Sequence, residues 1–229
     1  MVRQGSFEEV QRSSIPYILG TDEVGYGAWA GPLLVVGVVA ERNWCIAGLG
    51  DSKQLTKLQR ERANAALKLE VEKGNIFVEH SLSSPREIDS FGVGKALRLS
   101  HELAIHELFI TSPWSPRKML VVVDGTLNIN LDLDRVRDAF TVKKADTLIP
   151  VVMAASIIAK VRRDAIMCKI HERYPAYDFK SHKGYGTPKH LAALKEHGPA
   201  RVHRHSYRPV KESIIPVSDS TPPPEEDAA

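Results

Sequence analysis

Residues 17–40 read YILGTDEVGYGAWAGPLLVVGVVA, and the way residue types change along them decides the fold. Tyr17 to Thr21 is a short apolar strand running into two acids, Asp22 and Glu23. Leu33 to Ala40 is an unbroken, largely β-branched run bounded by Pro32 and Glu41. Such a run fits a strand buried on both faces, since a half-exposed strand would alternate. Two hairpin-like strands are followed by helix–strand alternation. Thr56 to Val71 is rich in Lys, Arg, Gln, Ala and Leu, with Gly74 as a stop signal, so it reads as a helix. Ile76 to Leu82 alternates weakly, as a more exposed strand does. Ala96, Leu99, Leu103, Ala104 and Leu108 form an apolar helical stripe closed by Pro113. Met119 to Val123 is a short buried strand ending in Asp124-Gly125. Val151 to Ala159 is apolar except for Ser156. Its alanines, its continuation from Lys160 to Met167, and Pro150 at its start make it a helix. The order predicts an α/β fold, a mixed sheet with helices on its faces.

The 229 residues are 43% hydrophobic and 26% charged, the composition of a soluble globular domain. The longest uncharged stretch near the N-terminus, Val24 to Ala40, is shorter than the roughly 20 residues a bilayer requires, and its apolar part is only Ala28 to Ala40. Met1 to Val10 is polar and carries two glutamates, so no secretory leader is expected and the location expected is cytoplasmic. Cys45 and Cys168 are too far apart in sequence to suggest a zinc site and read as free thiols. Neither repeats nor a long linker appear, so one domain is expected over residues 1–212. Residues 213–229, rich in Ser, Pro and acids, read as a disordered tail. That tail holds four acids and no base near its end, which leaves the body of the chain at about +7 and suits a polyanionic partner.

Three acidic sites stand at the ends of elements: Asp22-Glu23, Asp124 and Asp146. Ligands of open α/β sheets sit beyond the carboxyl ends of strands. Carboxylates gathered there repel one another unless cations neutralise them, and hard oxygen donors suit Mg2+ or Mn2+. Two such ions are the apparatus for in-line attack of water on a phosphodiester. Asp22 and Glu23 point to opposite faces of a strand, so convergence requires the chain to leave the strand, which Gly25 and Gly27 permit. Each site also has a plainer reading, an Asp-Gly turn at Asp124 or a helix cap at Asp146. Gly25-Tyr26-Gly27-Ala28-Trp29-Ala30 fits a dinucleotide fingerprint, but that motif opens a helix, and here Gly31-Pro32 and a strand follow. A nicotinamide-dependent oxidoreductase is therefore the weaker reading. Lys53, Lys143, Lys144, Lys160, Arg162 and Arg163 are basic candidates for phosphate contacts. Residues 178–211 interleave further bases with Phe179, Tyr185 and Tyr207, preceded by Tyr177, as a nucleic-acid surface would. His203 and His205 lack a third ligand and read as surface residues. His101 and His106 fall on different helix faces and read as unconnected.

These segments resemble, in order, the motifs of ribonuclease HII (type 2 ribonuclease H). They are Gly20-Thr21-Asp22-Glu23-Val24-Gly25-Tyr26-Gly27 with Ala30-Gly31-Pro32, Asp51-Ser52-Lys53-Gln54-Leu55, Val123-Asp124-Gly125, Lys144-Ala145-Asp146, the run Ala155 to Val161 with Arg163-Asp164, and His182-Lys183-Gly184-Tyr185-Gly186-Thr187. The resemblance implies a ribonuclease H-like fold with a five-stranded mixed sheet and a C-terminal helical extension, here residues 172–212. It implies an endonuclease that hydrolyses the RNA strand of RNA–DNA hybrids, leaving 5′-phosphate and 3′-hydroxyl ends. Its metal-binding acids fall on Asp22, Glu23, Asp124 and Asp146, the four already singled out. Its 2′-hydroxyl-reading loop falls on Gly25, Tyr26 and Gly27, its sugar-packing tyrosine on Tyr185, and its phosphate contacts on Ser52, Lys53 and Lys160. The partners implied are an RNA–DNA hybrid or ribonucleotide-containing duplex DNA, with no membrane, and the chain is expected to act as a monomer. The family loop usually reads Gly-Arg-Gly, whereas Tyr26 stands at its centre here. Weaker cleavage at an isolated ribonucleotide is therefore expected, and a hybrid-binding module without catalysis is the alternative.

Overall fold

The computed structural model describes residues 2–132 and 134–214. Its strands are β1 (Arg3–Gln4), β2 (Tyr17–Val24), β3 (Leu33–Glu41), β4 (Ile76–Ser83), β5 (Met119–Asp124) and β6 (Asp138–Val142). Its α-helices are α1 (Phe7–Arg12), α2 (Lys57–Glu72), α3 (Pro85–Phe91), α4 (Val93–Thr111), α5 (Ala145–Leu148), α6 (Pro150–Arg173), α7 (Phe179–His182), α8 (Pro188–His197) and α9 (Arg208–Lys211). The strands form one mixed sheet in the order β1-β6-β5-β2-β3-β4. β3 is antiparallel to β2 and β4, and the other pairings are parallel. The sheet has six strands where five were expected. The sixth, Arg3–Gln4, pairs with Phe140 and Thr141 at the sheet edge and is too short and polar to show any alternation.

β3 is buried on both faces, as its unbroken apolar run requires. Leu34, Val36 and Val38 pack with Val152, Ala155 and Ile157 of α6, while Leu33 and Val35 pack with Ala96, Leu97 and Ala104 of α4. The sheet is thus sandwiched between α6 with α2 and α4 with α3. At Gly20 the α6 helix lies directly on the backbone of β2, and a Cβ there would stand 2.6 Å from Val152 Cγ2. β2 and β5 are parallel with Thr21 opposite Val123, so their acidic ends reach the same edge of the sheet at the same level.

Several expectations shift. β2 continues through Val24, so Asp22 and Glu23 are still strand residues on opposite faces. Asp146 is not a cap of the long helix but lies inside the separate turn α5. The stripe on α4 is narrower than expected: Ala96, Ala104 and Leu108 are buried, whereas Leu99 and Leu103 are exposed. Their places are taken by Ser100, His101 and Ile105. Of the expected tail, Ser213 is buried with its hydroxyl on Val210 O at 2.7 Å. The rest, residues 215–229, lies outside the described residues. Among the described residues no helix is long and apolar enough to cross a membrane.

Candidate active site

The acidic ends of β2 and β5 open into a cleft of about 400 Å3 lined by Asp22, Glu23 and Asp124, by Ser52, Lys53, Ser156 and Lys160, and by Gly25, Tyr26, Gly27 and Tyr185. Asp22 faces α6 and Glu23 faces α4, so they meet at the strand's end from two sides of the sheet. Asp22 is only 6% exposed. Its Oδ1 accepts the Glu23 backbone N–H at 2.8 Å, and Ser156 hydrogen-bonds its carboxylate. Burial first, and the negative charge of Glu23 second, push its carboxyl up to about 8. Asp124 is raised too, by burial and then by the charge of Asp146. Its Oδ1 accepts the backbone N–H of Ala145 at 2.6 Å, which ties the end of β5 to α5. Asp146 is buried beside it, outside the lining of the cleft, and its Oδ2 accepts Lys53 Nζ at 2.9 Å.

Lys53 is presented by a built loop. Asp51 accepts the backbone N–H of Lys53 at 2.9 Å and the amide of Gln54 at 3.0 Å, and Ser52 hydrogen-bonds Ser156 on α6 at 2.8 Å. Lys160 lines the cleft while paired to Asp164 at 2.8 Å. Lys143, Lys144 and Arg162 are exposed and do not line it. Arg163 departs furthest from expectation: it is fully buried, with its donors turned to backbone carbonyls rather than to the cleft. Its guanidinium donates to Pro32 O at 2.9 Å, Lys183 O at 2.9 Å and Ala30 O at 3.2 Å, and burial pushes it down to about 10.

The glycine loop is held by the C-terminal extension. Gly25 has φ +91°, and its flank is filled by Arg163, so no side chain fits there. Its N–H donates to Tyr185 Oη at 3.2 Å, and the Arg163 guanidinium lies 5.3 Å from the centre of the Tyr185 ring. A second buried arginine, Arg204, donates to Tyr26 O at 2.8 Å and twice to Gly31 O, while the Tyr207 hydroxyl donates to Tyr26 O at 2.6 Å. The Tyr26 side chain is left 46% exposed over the cleft. Of the interleaved aromatics, Tyr185 lines the cleft, whereas Tyr177 and Phe179 are core residues of the extension.

His203, expected at the surface, is fully buried against His190, Nε2 to Nε2 at 3.1 Å, while His205 is exposed. His203 Nδ1 accepts the Ala200 N–H at 2.9 Å, so its Nε2–H donates to His190, whose Nδ1–H in turn donates to Tyr185 O at 3.0 Å. That relay requires uncharged imidazoles, and burial pushes both down to about 4. Arg204, His190 and His203 were missed as supports of the site. Their types were visible in the sequence, but not the fact that they are buried.

The donor set at the cleft suits a divalent cation: hard carboxylates, of which Asp22 and Asp124 are raised by burial and then by neighbouring acids, with Lys53 as the one cation bonded to them among the described residues. Among those residues no group of three or more acidic, imidazole or thiol side chains is placed to hold a metal ion by itself. An ion there would complete its shell with water and substrate oxygens.

A family model for ribonuclease HII matches residues 19–210. The chain is 38% identical over 205 residues to the ribonuclease HII of Nitrosospira multiformis, covering 90% of this chain and 96% of that protein. It is 37% identical over 211 residues to that of Burkholderia ambifaria, covering 92% and 90%. The crystal structure of ribonuclease H2 from Pyrococcus horikoshii OT3 superposes with a TM-score of 0.68 at 25% identity, covering 86% of this chain and 96% of that one. Bst-RNase HIII in complex with Mn2+ shares the fold, with a TM-score of 0.67 at 18% identity over 89% of this chain and 71% of that one.

Proposed function

This chain belongs to the ribonuclease HII family, and from that membership we propose that it cuts the RNA strand of RNA–DNA hybrids in the cleft where Asp22, Glu23, Asp124 and Asp146 hold divalent cations. It is a hydrolase, an endonuclease acting on RNA–DNA hybrids. The observation that supports the assignment of the site is the convergence of Asp22, Glu23 and Asp124 on one cleft with Asp146 bonded beside Asp124, where burial and then neighbouring acids raise Asp22 and Asp124 above the ordinary carboxylate range. Bound Mg2+ or Mn2+ would lower the pKa of the attacking water and stabilise the leaving oxygen, in keeping with 5′-phosphate and 3′-hydroxyl products. The protein's own groups then position the substrate. Lys53 and Lys160 stand at the cleft wall for phosphates, and Ser52 supports that wall through Ser156. Gly25, Tyr26 and Gly27 line the cleft where a 2′-hydroxyl would lie, and Tyr185 offers its ring to the sugar. Residues 1–212 act as one catalytic unit in this reading, with residues 172–212 contributing Tyr185 and the loop's supports. One chain supplies every group named, so a monomer suffices. Free Cys45 and Cys168 suit the reducing cytoplasm.

Asp124→Asn keeps the carboxylate's shape and removes its charge. Cleavage of a labelled hybrid should then fall by orders of magnitude while the circular dichroism spectrum stays native. Near-normal turnover would overturn the assignment of the acids. Tyr26 offers no fixed charge for phosphate, and its exposed side chain can be exchanged without touching the carbonyl that Arg204 and Tyr207 hold. A run of ribonucleotides offers many registers and an isolated one offers a single register. The chain should therefore cut the isolated one less well by roughly ten- to hundredfold, the worth of one charged hydrogen bond. Tyr26→Arg should recover part of that deficit. Equal rates on both duplexes, unmoved by the substitution, would remove position 26 from substrate choice.

A further inference from the structure

One buried polar atom points at the acidic cleft from α4 and has no partner. His101 is fully buried, its Nδ1 lies 2.9 Å from Thr21 Oγ1, and its Nε2 makes no hydrogen bond. That Nε2 stands 3.5 Å from Glu23 Oε2, just beyond bonding distance. Thr21 and Glu23 are alternate residues of β2, so both present to α4, and one imidazole spans the two. With the proton on Nε2, Nδ1 accepts the Thr21 hydroxyl and the remaining N–H aims at the carboxylate. The helix cannot move to close the gap, because Ala104, Ile105 and Leu108 around His101 are fully buried. Glu23 can move, its side chain being 28% exposed at the strand's open end.

We propose that His101 is a positioning residue for the reaction. Its Nε2–H binds one oxygen of Glu23 and so turns the other toward the cation site. Imidazole and carboxylate groups behind a ligand commonly fix its orientation in this way, and hydrogen bonds that are long in the free protein tighten once the site fills. The inference rests on the assignment of Glu23 as a cation ligand.

The test is calorimetric titration of the full chain with Mn2+ alone, without nucleic acid. His101→Gln places an amide N–H where Nε2 lies. His101→Asn reaches only to the position of Nδ1, and His101→Leu keeps volume without polarity. The glutamine variant should bind Mn2+ within about threefold of the parent, and the asparagine and leucine variants about tenfold more weakly. Turnover should fall in step, with KM for the hybrid unchanged. In a Glu23→Gln background, His101→Leu should weaken Mn2+ binding no further. Unchanged Mn2+ affinity in His101→Leu would overturn the proposal, as would rescue by asparagine but not by glutamine, which would assign the role to Thr21. Should the leucine variant fail to fold, the glutamine–asparagine comparison decides alone. Unchanged binding in Glu23→Gln by itself would instead overturn the assignment of Glu23, and the proposal with it.

Discussion

Asp22 shows how much strain a single side chain carries at this site. Its charge is opposed by burial and by Glu23, and Ser156 and the Glu23 N–H offset only part of that. Asp22→Asn should therefore stabilise the cation-free protein at pH 8 and above by about 1–3 kcal/mol, the cost of an uncompensated buried polar group. Hybrid cleavage should be lost in the same variant. Thermal unfolding with and without Mn2+ checks both halves, because the parent should gain stability on adding the ion and the variant should gain far less. A Tm below the parent's in the cation-free state would show that the carboxylate is already well compensated. Asp22, Glu23 and Asp124 were legible as neighbours because they close two apolar runs that pair as parallel strands, whereas the place of Asp146 in a separate turn was not. Arg163 was not legible, since a guanidinium that binds phosphate and one that clamps buried carbonyls look alike in a sequence. Only its complete burial separates the two roles.

At the level of elements, legibility followed apolar length. β3, α6 and β5 carry runs whose burial is evident from composition, while β1 is two exposed residues and became a strand only through its register with β6. His190 on α8 and His203 beyond it were hidden for a related reason. Nothing local marks two imidazoles that pair across a short helix and a turn, and their relay to Tyr185 O is a tertiary fact. The pair has a consequence for pH. Both groups sit at about 4 in the fold against an ordinary 6.5, so between those values the unfolded chain binds more protons than the folded one. Their contribution is complete above pH 6.5 and is lost as pH falls toward 4, by up to about 3 kcal/mol per imidazole and less than additively for a coupled pair. Urea unfolding at pH 7 and pH 4.5 should show the loss, and His203→Gln should flatten it. An equally steep loss in the variant would place acid sensitivity elsewhere.

For the whole molecule, the net positive charge of the body suits a polyanionic substrate. The logarithm of hybrid affinity should fall with the logarithm of salt concentration, by about 0.9 for each phosphate neutralised, and Lys160→Ala should reduce that slope by about one phosphate's share. A slope unchanged by the substitution would leave Lys160 to its partner Asp164. The clamp on the glycine loop has a further meaning in time. Tyr26 and Arg204 are 178 positions apart, and a ribosome adding roughly 5–20 residues per second needs about ten to thirty-five seconds to join them. All four acids emerge before that interval ends, but the loop that faces the ribose stays unfastened until the last tenth of the chain arrives. A chain that stops short of Arg204 would carry Asp22, Glu23, Asp124 and Asp146 but lack the guanidinium that holds the Tyr26 carbonyl.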